Sequence, residues 1–116
     1  MPAKSKHSRA AESYTNDTAI PKKLGGGVLK DFVKRDVKTK QVLRFALVYI
    51  NHAIAQKDNG RTLGYDDGHG YRHRHFLGVV TALPPMSYEA IADMFERQWR
   101  ALARQHVNNE PLELVP

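Results

Sequence analysis

The feature that most constrains the fold of this chain is the run Val42–Ile50, in which only Arg44 is charged. The run is rich in β-branched and aromatic residues, which are typical of strands. Its side chains are apolar on both faces of an extended backbone, as expected for a strand that lies inside a sheet. The sequence therefore predicts a sheet built around this run.

Strand and turn signals flank the central run on both sides. Residues 28–41 fit a helical face through Leu29, Phe32, Val33 and Val37 as well as a strand followed by a hairpin turn, and we favour the strand. Residues 57–60 contain an Asn-Gly pair that favours a tight turn. The return strand is predicted at residues 61–67, and a further strand at the alternating residues 71–80. We therefore expect about four antiparallel strands.

The C-terminal part of the chain has the pattern of one amphipathic helix. Ser87 stands where an N-cap belongs, and acidic residues follow it. An apolar stripe at helical spacing continues from there, beside two i,i+4 pairs of opposite charge. The stripe is Tyr88, Ile91, Ala92, Phe95, Trp99 and Leu102, and the pairs are Asp93–Arg97 and Glu96–Arg100. These elements predict an α+β fold, a small curved antiparallel sheet with one long C-terminal helix packed on it.

The two ends of the chain lack these patterns. Residues 1–27 have no apolar period and end in three glycines, so we expect a flexible basic tail. Residues 108–116 contain two prolines and are expected to lie outside the core. One domain over residues 28–107 remains. With no signal-peptide pattern and no apolar run near the about 20 residues of a membrane span, we expect a cytoplasmic protein without membrane contact.

The chain is basic, with 18 Lys and Arg residues against 12 Asp and Glu and a net charge of +6. This balance favours a polyanionic partner, either a nucleic acid or an acidic protein. The absence of cysteine excludes thiolate nucleophiles and Cys-based metal sites. Candidate phosphate-contacting residues are Lys34, Arg35, Lys38, Lys40 and Arg44 near the central run, and Arg97, Arg100 and Arg104 on the helix. The arginines of the helix also fit an alternative interpretation, a solvent-exposed helix face stabilised by ion pairs within the helix.

The densest group of chemically active side chains lies at residues 65–75, where three of the six histidines fall within seven residues. Three interpretations compete. The histidines and their neighbours can bind a divalent metal, they can transfer protons during RNA cleavage beside arginines that hold phosphate, or they can fix the strand edge by pairing with Asp66 and Asp67. The metal ligands would be His73 and His75, with His69, Asp66 or Asp67 nearby.

The same residues resemble a family signature. Residues 58–67 (DNGRTLGYDD) and 69–76 (HGYRHRHF) are similar to the signature of TumE-like proteins, the small toxins of bacterial toxin–antitoxin pairs. In that family a strand ends in Gly-Tyr-Asp-Asn, and a glycine-containing turn and a His-x-His strand follow. The resemblance covers roughly residues 42–103, and Asp67 stands where Asn is commoner.

The resemblance implies a fold, a partner and a target. The fold would be that of the RelE/ParE-like toxins, and the partner an antitoxin with a helix-turn-helix domain, which alone would bring the toxin to operator DNA. Members of that wider group act on mRNA at the ribosome or on DNA gyrase. Carried over to this chain, the catalytic residues would be Tyr65, Asp66, His73 and His75, with Arg72 and Arg74 as phosphate ligands.

We therefore expect a toxin that cleaves RNA without a metal or other cofactor. His73 or His75 would act as base or acid, and Tyr65 or Tyr71 would position the nucleotide. The alternative is a non-enzymatic module that binds nucleic acid, gyrase or the antitoxin through its basic surface, with structural histidines. A His-based metal site is the third possibility.

Overall fold

The structure is a computed structural model that describes residues 10–68 and 70–116. Its strands are β1 Ala11–Ala19, β2 Val28–Asp36, β3 Val42–Ile50, β4 Arg61–Asp66, β5 His73–Phe76 and β6 Val79–Ala82, and its α-helix is α1 Tyr88–Val107. The strands form one six-stranded sheet in chain order, and every neighbouring pair is antiparallel. None of the helices in the described residues is long and apolar enough to cross a membrane.

The predicted central strand is confirmed, since β3 lies between β2 and β4. One face of the sheet carries Phe45, Leu47 and Tyr49 and packs against α1; we call it the helix face. The opposite face carries Arg44, Ala46 and Val48, by the alternation of side chains along a strand; we call it the far face. The core lies between the helix face and α1.

The core is rich in aromatic side chains. The ring centroids of Tyr49 and Trp99 are 5.5 Å apart, and the rings of Tyr65 and Phe95 meet edge to face at 6.3 Å. Contacts of this kind stabilise a core beyond the burial of apolar area alone. They fix α1 across β3 and β4, and β4 is one of the two strands that carry the candidate site.

The predicted helix is also confirmed. The hydroxyl oxygen of Ser87 accepts a hydrogen bond of 3.0 Å from the Ala90 amide, which is an N-cap contact. Both predicted ion pairs form, with Arg97 Nη1 3.3 Å from Asp93 Oδ2 and Arg100 Nη2 2.7 Å from Glu96 Oε1.

The α+β class is confirmed, but the sheet has six strands where about four were expected. One extra strand arises because residues 71–80 do not form a single strand. They contain a tight turn at Leu77 and Gly78, both at positive φ, which divides the segment into β5 and β6. The other extra strand, β1, lies in the predicted tail.

The prediction of a flexible tail at residues 1–27 is wrong for residues 11–27. Residues 11–19 pair with the whole of β2, and the three glycines take positive φ and turn the chain back into β2. A Cβ on Gly27 would lie 2.5 Å from the Ile50 carbonyl oxygen, so glycine permits a close approach there. The pattern escapes detection because every side chain of β1 is exposed. Residues 1–9 of the predicted tail lie outside the described residues.

The sequence predicts that residues 108–116 lie outside the core, and this prediction is wrong, because the segment packs against it. Gln98 Nε2 donates a hydrogen bond of 2.7 Å to the Val115 carbonyl, and Gln105 exchanges two hydrogen bonds with the backbone of Glu113. Leu112 and Leu114 pack against the core. Both glutamines are buried and need partners, and the docked segment supplies them.

Candidate functional site

The pairing of β4 with β5 decides which side chains share a face of the sheet. Asp66 lies opposite His73, and Tyr65 lies opposite Arg74. Directly opposed residues of antiparallel strands point to the same face. Asp66, His73 and His75 therefore lie on the far face, whereas Tyr65 and Arg74 lie on the helix face.

Asp66 bridges the two histidines. Its Oδ1 atom is 3.0 Å from His73 Nε2, and its Oδ2 atom is 3.5 Å from His75 Nε2. The centroids of the two imidazole rings are 4.8 Å apart. Ligand atoms of these three residues all lie within 4.8 Å of one another. One carboxylate and two imidazoles thus converge on a single point of the far face.

His73 is sealed into the structure, with 1% of its surface exposed. Its Nδ1 atom is 3.2 Å from the carbonyl oxygen of Tyr71. A carbonyl oxygen only accepts hydrogen bonds, so this contact is a hydrogen bond in the tautomer that carries its hydrogen on Nδ1. This contact fixes the orientation of the ring and directs Nε2 towards Asp66. His73 is therefore poorly placed to touch a substrate and well placed to hold other groups.

His75 is the more accessible histidine, with 13% of its side chain exposed. Its Nδ1 atom lies 3.9 Å from Asp58 Oδ2, which also accepts a hydrogen bond of 2.6 Å from Arg61 Nε. Burial lowers the pKa of His75, and the positive charge of Arg61 lowers it further. The hydrogen bond from Arg61 lowers the pKa of Asp58. We call Asp58, Arg61, Asp66, His73 and His75 the histidine cluster.

The sequence interpretation missed Asp58 and Arg61 as members of this cluster. On β3, Tyr49 and Ile50 are consecutive residues. Their partners on β4 are Leu63 and Arg61, so Thr62 is an extra residue that has no partner of its own on β3. Such a bulge shifts the alternation and brings Arg61 to the far face. Gly64 then leaves room for the stem of Arg61, because a Cβ there would lie 3.0 Å from Arg61 Cδ. The signal available in the sequence was the Asn-Gly turn, which places both residues beside the site.

Tyr65, which the sequence places among the catalytic residues, is a core residue. It has no exposed surface, and its hydroxyl donates a hydrogen bond of 2.5 Å to Gln98 Oε1. Burial raises its pKa, and a contact with Arg74 partly offsets this. A fully buried side chain on the helix face cannot position a nucleotide on the far face. Tyr71, which is half exposed and lies just before β5, has its ring 5.2 Å from the ring of His73.

The structure does not bring Arg72 and Arg74 to the histidines. Arg74 lies with Tyr65 on the helix face. Arg72 donates a hydrogen bond to the Met86 carbonyl, and its guanidinium lies 5.6 Å from the centroid of the Phe45 ring. Both arginines therefore connect parts of the fold, and their expected role as phosphate ligands has no support from the geometry.

The other basic candidates divide between the two sides of the sheet. Lys34 and Arg44 are opposed on β2 and β3, and Lys30 lies opposite Val48, so these three share the far face with the histidine cluster. Arg35 turns the other way and lies 5.5 Å from the ring of Tyr88. Lys38 and Lys40 belong to the exposed turn between β2 and β3, and Arg97, Arg100 and Arg104 are exposed on α1, across the sheet from the cluster.

Two further residues were considered as metal ligands from the sequence. Asp67 instead accepts a hydrogen bond from the Phe45 amide and lies 3.4 Å from Arg44 Nε. His69 lies outside the described residues.

No protein-family model, curated protein or solved structure matches this chain. The resemblance to TumE-like toxins therefore rests on residues 58–67 and 69–76 of the sequence. The function it implies is a proposal, to be weighed against the geometry of the histidine cluster.

Proposed function

We propose that this chain is the toxin of a toxin–antitoxin pair and that it cleaves RNA at the histidine cluster. The observation that carries the proposal is the bridge from Asp66 to His73 and His75 on an exposed side of the sheet. Titratable groups that are held against one another are typical of sites that transfer protons, and the basic protein around them suits a phosphate substrate. The same residues carry the family resemblance.

The distribution of charge on the far face supports an RNA substrate. Arg44 lies on β3, the neighbour of β4, and Lys30 and Lys34 lie one strand further away on β2. Cations in this position can hold the sugar-phosphate backbone without reading its sequence. A strand of RNA that crosses β2 and β3 would then arrive at β4 and β5, where His75 is accessible.

In the metal-free form of this proposal, His75 is the base. Its lowered pKa keeps the imidazole neutral near pH 7, the form that can accept a proton. It would take the proton of a ribose 2′-hydroxyl, whose oxygen attacks the phosphorus. The bond to the 5′-oxygen then breaks, and that oxygen takes up a proton, giving a 2′,3′-cyclic phosphate and a 5′-hydroxyl. His73 is a positioning residue that holds Asp66, and Arg61 supplies positive charge beside His75.

The proposed partner is a helix-turn-helix antitoxin, with operator DNA contacted only through that complex. A binding module without catalysis is the second candidate function. The burial of His73 and its two fixed contacts favour it, because they also suit a purely structural histidine. In that case the far face would hold RNA, gyrase or the antitoxin without changing it.

Expression in bacterial cells separates the two candidates. We expect growth arrest from the wild type, with new RNA fragments that end in a 2′,3′-cyclic phosphate and a 5′-hydroxyl. His75→Ala should restore growth and abolish these fragments, whereas His106→Ala, which changes a histidine of α1 far along the chain, should act as the wild type. Arrest without RNA cleavage would reject the nuclease and support the binding module.

A further inference from the structure

We propose that Asp66, His73 and His75 form a binding site for one divalent transition-metal cation such as Zn²⁺. Nε2 of each histidine and the carboxylate of Asp66 would be the ligands. These atoms already converge, with Asp66 Oδ1 3.0 Å from His73 Nε2 and Asp66 Oδ2 3.5 Å from His75 Nε2. The two carboxylate–imidazole distances are close to the spacing of ligands around a cation with bonds of about 2.0–2.2 Å, and the ligand atoms of the three residues lie within 4.8 Å of one another.

The contacts of His73 favour a positive charge, from a proton or a metal ion, between its Nε2 atom and Asp66. Both ring nitrogens face acceptors, Nδ1 the Tyr71 carbonyl and Nε2 the Asp66 carboxylate. A neutral imidazole has only one hydrogen to donate, so it can satisfy one of them. If Nδ1 donates to the carbonyl, Nε2 and the carboxylate oxygen need a proton or a metal cation between them. A cation accounts in addition for the approach of His75 to the same carboxylate.

The surroundings of the three residues are those of metal ligands. A histidine that binds a metal usually donates its other ring nitrogen to a carbonyl or carboxylate, as His73 does to Tyr71. Asp66 is itself oriented, because its Oδ1 accepts a hydrogen bond of 2.9 Å from the Gly68 amide. His75 Nδ1 lies 3.9 Å from Asp58 Oδ2, which is beyond hydrogen-bonding distance. Two of the three ligands, His73 and Asp66, therefore have an outer partner that sets their direction.

The charge of the histidine cluster also favours a cation. The permanently charged groups of the cluster are the two carboxylates of Asp58 and Asp66 and the one guanidinium of Arg61, and their charges sum to −1. This negative cluster attracts a cation, whereas the basic Lys30, Lys34 and Arg44 lie outside it on β2 and β3. A divalent cation reverses the sign at the place where the proposed substrate must bind.

The ligand set selects the type of cation. Two imidazoles and one carboxylate suit Zn²⁺ and its neighbours, whereas Mg²⁺ and Ca²⁺ prefer sites made of oxygen alone. Three protein ligands leave at least one coordination position for water or for a phosphate oxygen. This inference does not depend on RNA cleavage, but it replaces the metal-free form of that proposal, since His75 becomes a ligand instead of the base.

Calorimetric titration of the full chain, first stripped of metal with EDTA, tests the site directly. We expect one Zn²⁺ per chain and much weaker binding of Mg²⁺. Asp66→Asn and His75→Ala should each weaken Zn²⁺ binding by about 100-fold or more, beyond the about 10–100-fold cost of losing an outer partner. His106→Ala is the matched control and should bind as the wild type. Equal affinity in all four proteins, or no binding, would overturn the proposal.

Nitrogen NMR of the wild type tests whether the histidine Nε2 atoms bind the metal, and it needs no substituted protein. On addition of Zn²⁺, the Nε2 resonances of His73 and His75 should move to metal-bound positions while His73 Nδ1 keeps its hydrogen. A proton that stays on His73 Nε2 in excess Zn²⁺ would show that the positive centre is an imidazolium, and the metal site would be rejected.

An RNA cleavage assay with and without EDTA separates failure of this inference from failure of the proposed function. Cleavage that survives EDTA rejects a metal requirement and leaves the nuclease standing. Binding of Zn²⁺ at the three residues without any cleavage supports the metal site and rejects the nuclease. Cleavage that is lost in EDTA and restored by Zn²⁺ supports both.

Discussion

The two faces of the β4–β5 pair provide different surroundings for residues that are neighbours in the sequence. On the helix face, Tyr65 is fully buried and its hydroxyl donates a hydrogen bond to Gln98, and the partly buried Arg74 lies opposite it on β5. One residue along each strand, Asp66 and His73 face the other way and contact each other on the far face. The hydroxyl of Tyr65 thus finds its partner inside the core, whereas the polar groups of Asp66 and His73 contact each other on the far face.

This difference shows how a strand divides a segment that is rich in reactive side chains. Because successive side chains alternate between faces, half of such a segment serves packing and half is available for chemistry. Residues 65–75 look like one site in the sequence, but they are two environments. Substitutions on the helix face should therefore change stability, and substitutions on the far face should change binding and reaction.

The largest effect on stability is expected for Tyr65→Ala. Removing a fully buried aromatic side chain leaves a cavity beside Phe95 and Leu63, and we expect a loss of about 3–5 kcal/mol in the free energy of unfolding. His75→Ala, on the partly accessible far face, should cost about 1 kcal/mol or less in the metal-free protein. Urea denaturation of both variants checks this. Similar losses in the two variants would break the contrast between the faces.

A smaller effect is expected for Tyr65→Phe, which keeps the ring and removes only the hydroxyl. Gln98 Oε1 then loses the donor that is 2.5 Å away, in a buried position, and the cost should be about 1–2 kcal/mol. Any RNA cleavage should be retained when the variant is assayed well below its melting temperature. If the variant kept its full stability but lost RNA cleavage, Tyr65 would be a catalytic residue, as the sequence predicts.

The fold could be predicted wherever local pattern and tertiary structure agree. β3 and α1 have strong apolar patterns and were found from the sequence. β1 has no such pattern, because it is held by backbone pairing with β2 and by exposed ion pairs such as Lys30–Asp17 at 3.0 Å. Backbone hydrogen bonds of this kind leave little trace in the order of side chains.

The site could be located from the sequence, but its membership could not. The concentration of histidines marks the segment, yet a bulge that no residue type announces decides that Arg61 joins it. Tyr65 was included because it is close to the histidines in sequence and belongs to the same motif. Only the pairing of β4 with β5 shows which side of the sheet each residue faces.

The smallest of the expected effects concerns Asp31, which lies opposite Leu47 on the helix face. Burial raises its pKa, and the nearby negative charges of Glu96 and Asp17 raise it further. An Asp whose pKa is higher in the folded than in the unfolded state binds more protons when folded, so stability falls as the pH rises through the folded pKa. Asp31 is therefore expected to be destabilising near pH 7.

Asp31→Asn should accordingly stabilise the protein at pH 7, by about 0.5 kcal/mol, the scale of a substitution at a partly exposed position. The gain should shrink as the pH falls and disappear at about pH 3, where Asp31 is protonated in both states. Unfolding free energies of the wild type and the variant between pH 3 and 7 measure this, with Glu110→Gln at an exposed position after α1 as the control for loss of a carboxylate. If the helix face is the structural side of the sheet, the gain in stability should come without any change in Zn²⁺ affinity. A shift in that affinity would mean that the two faces are coupled through β3.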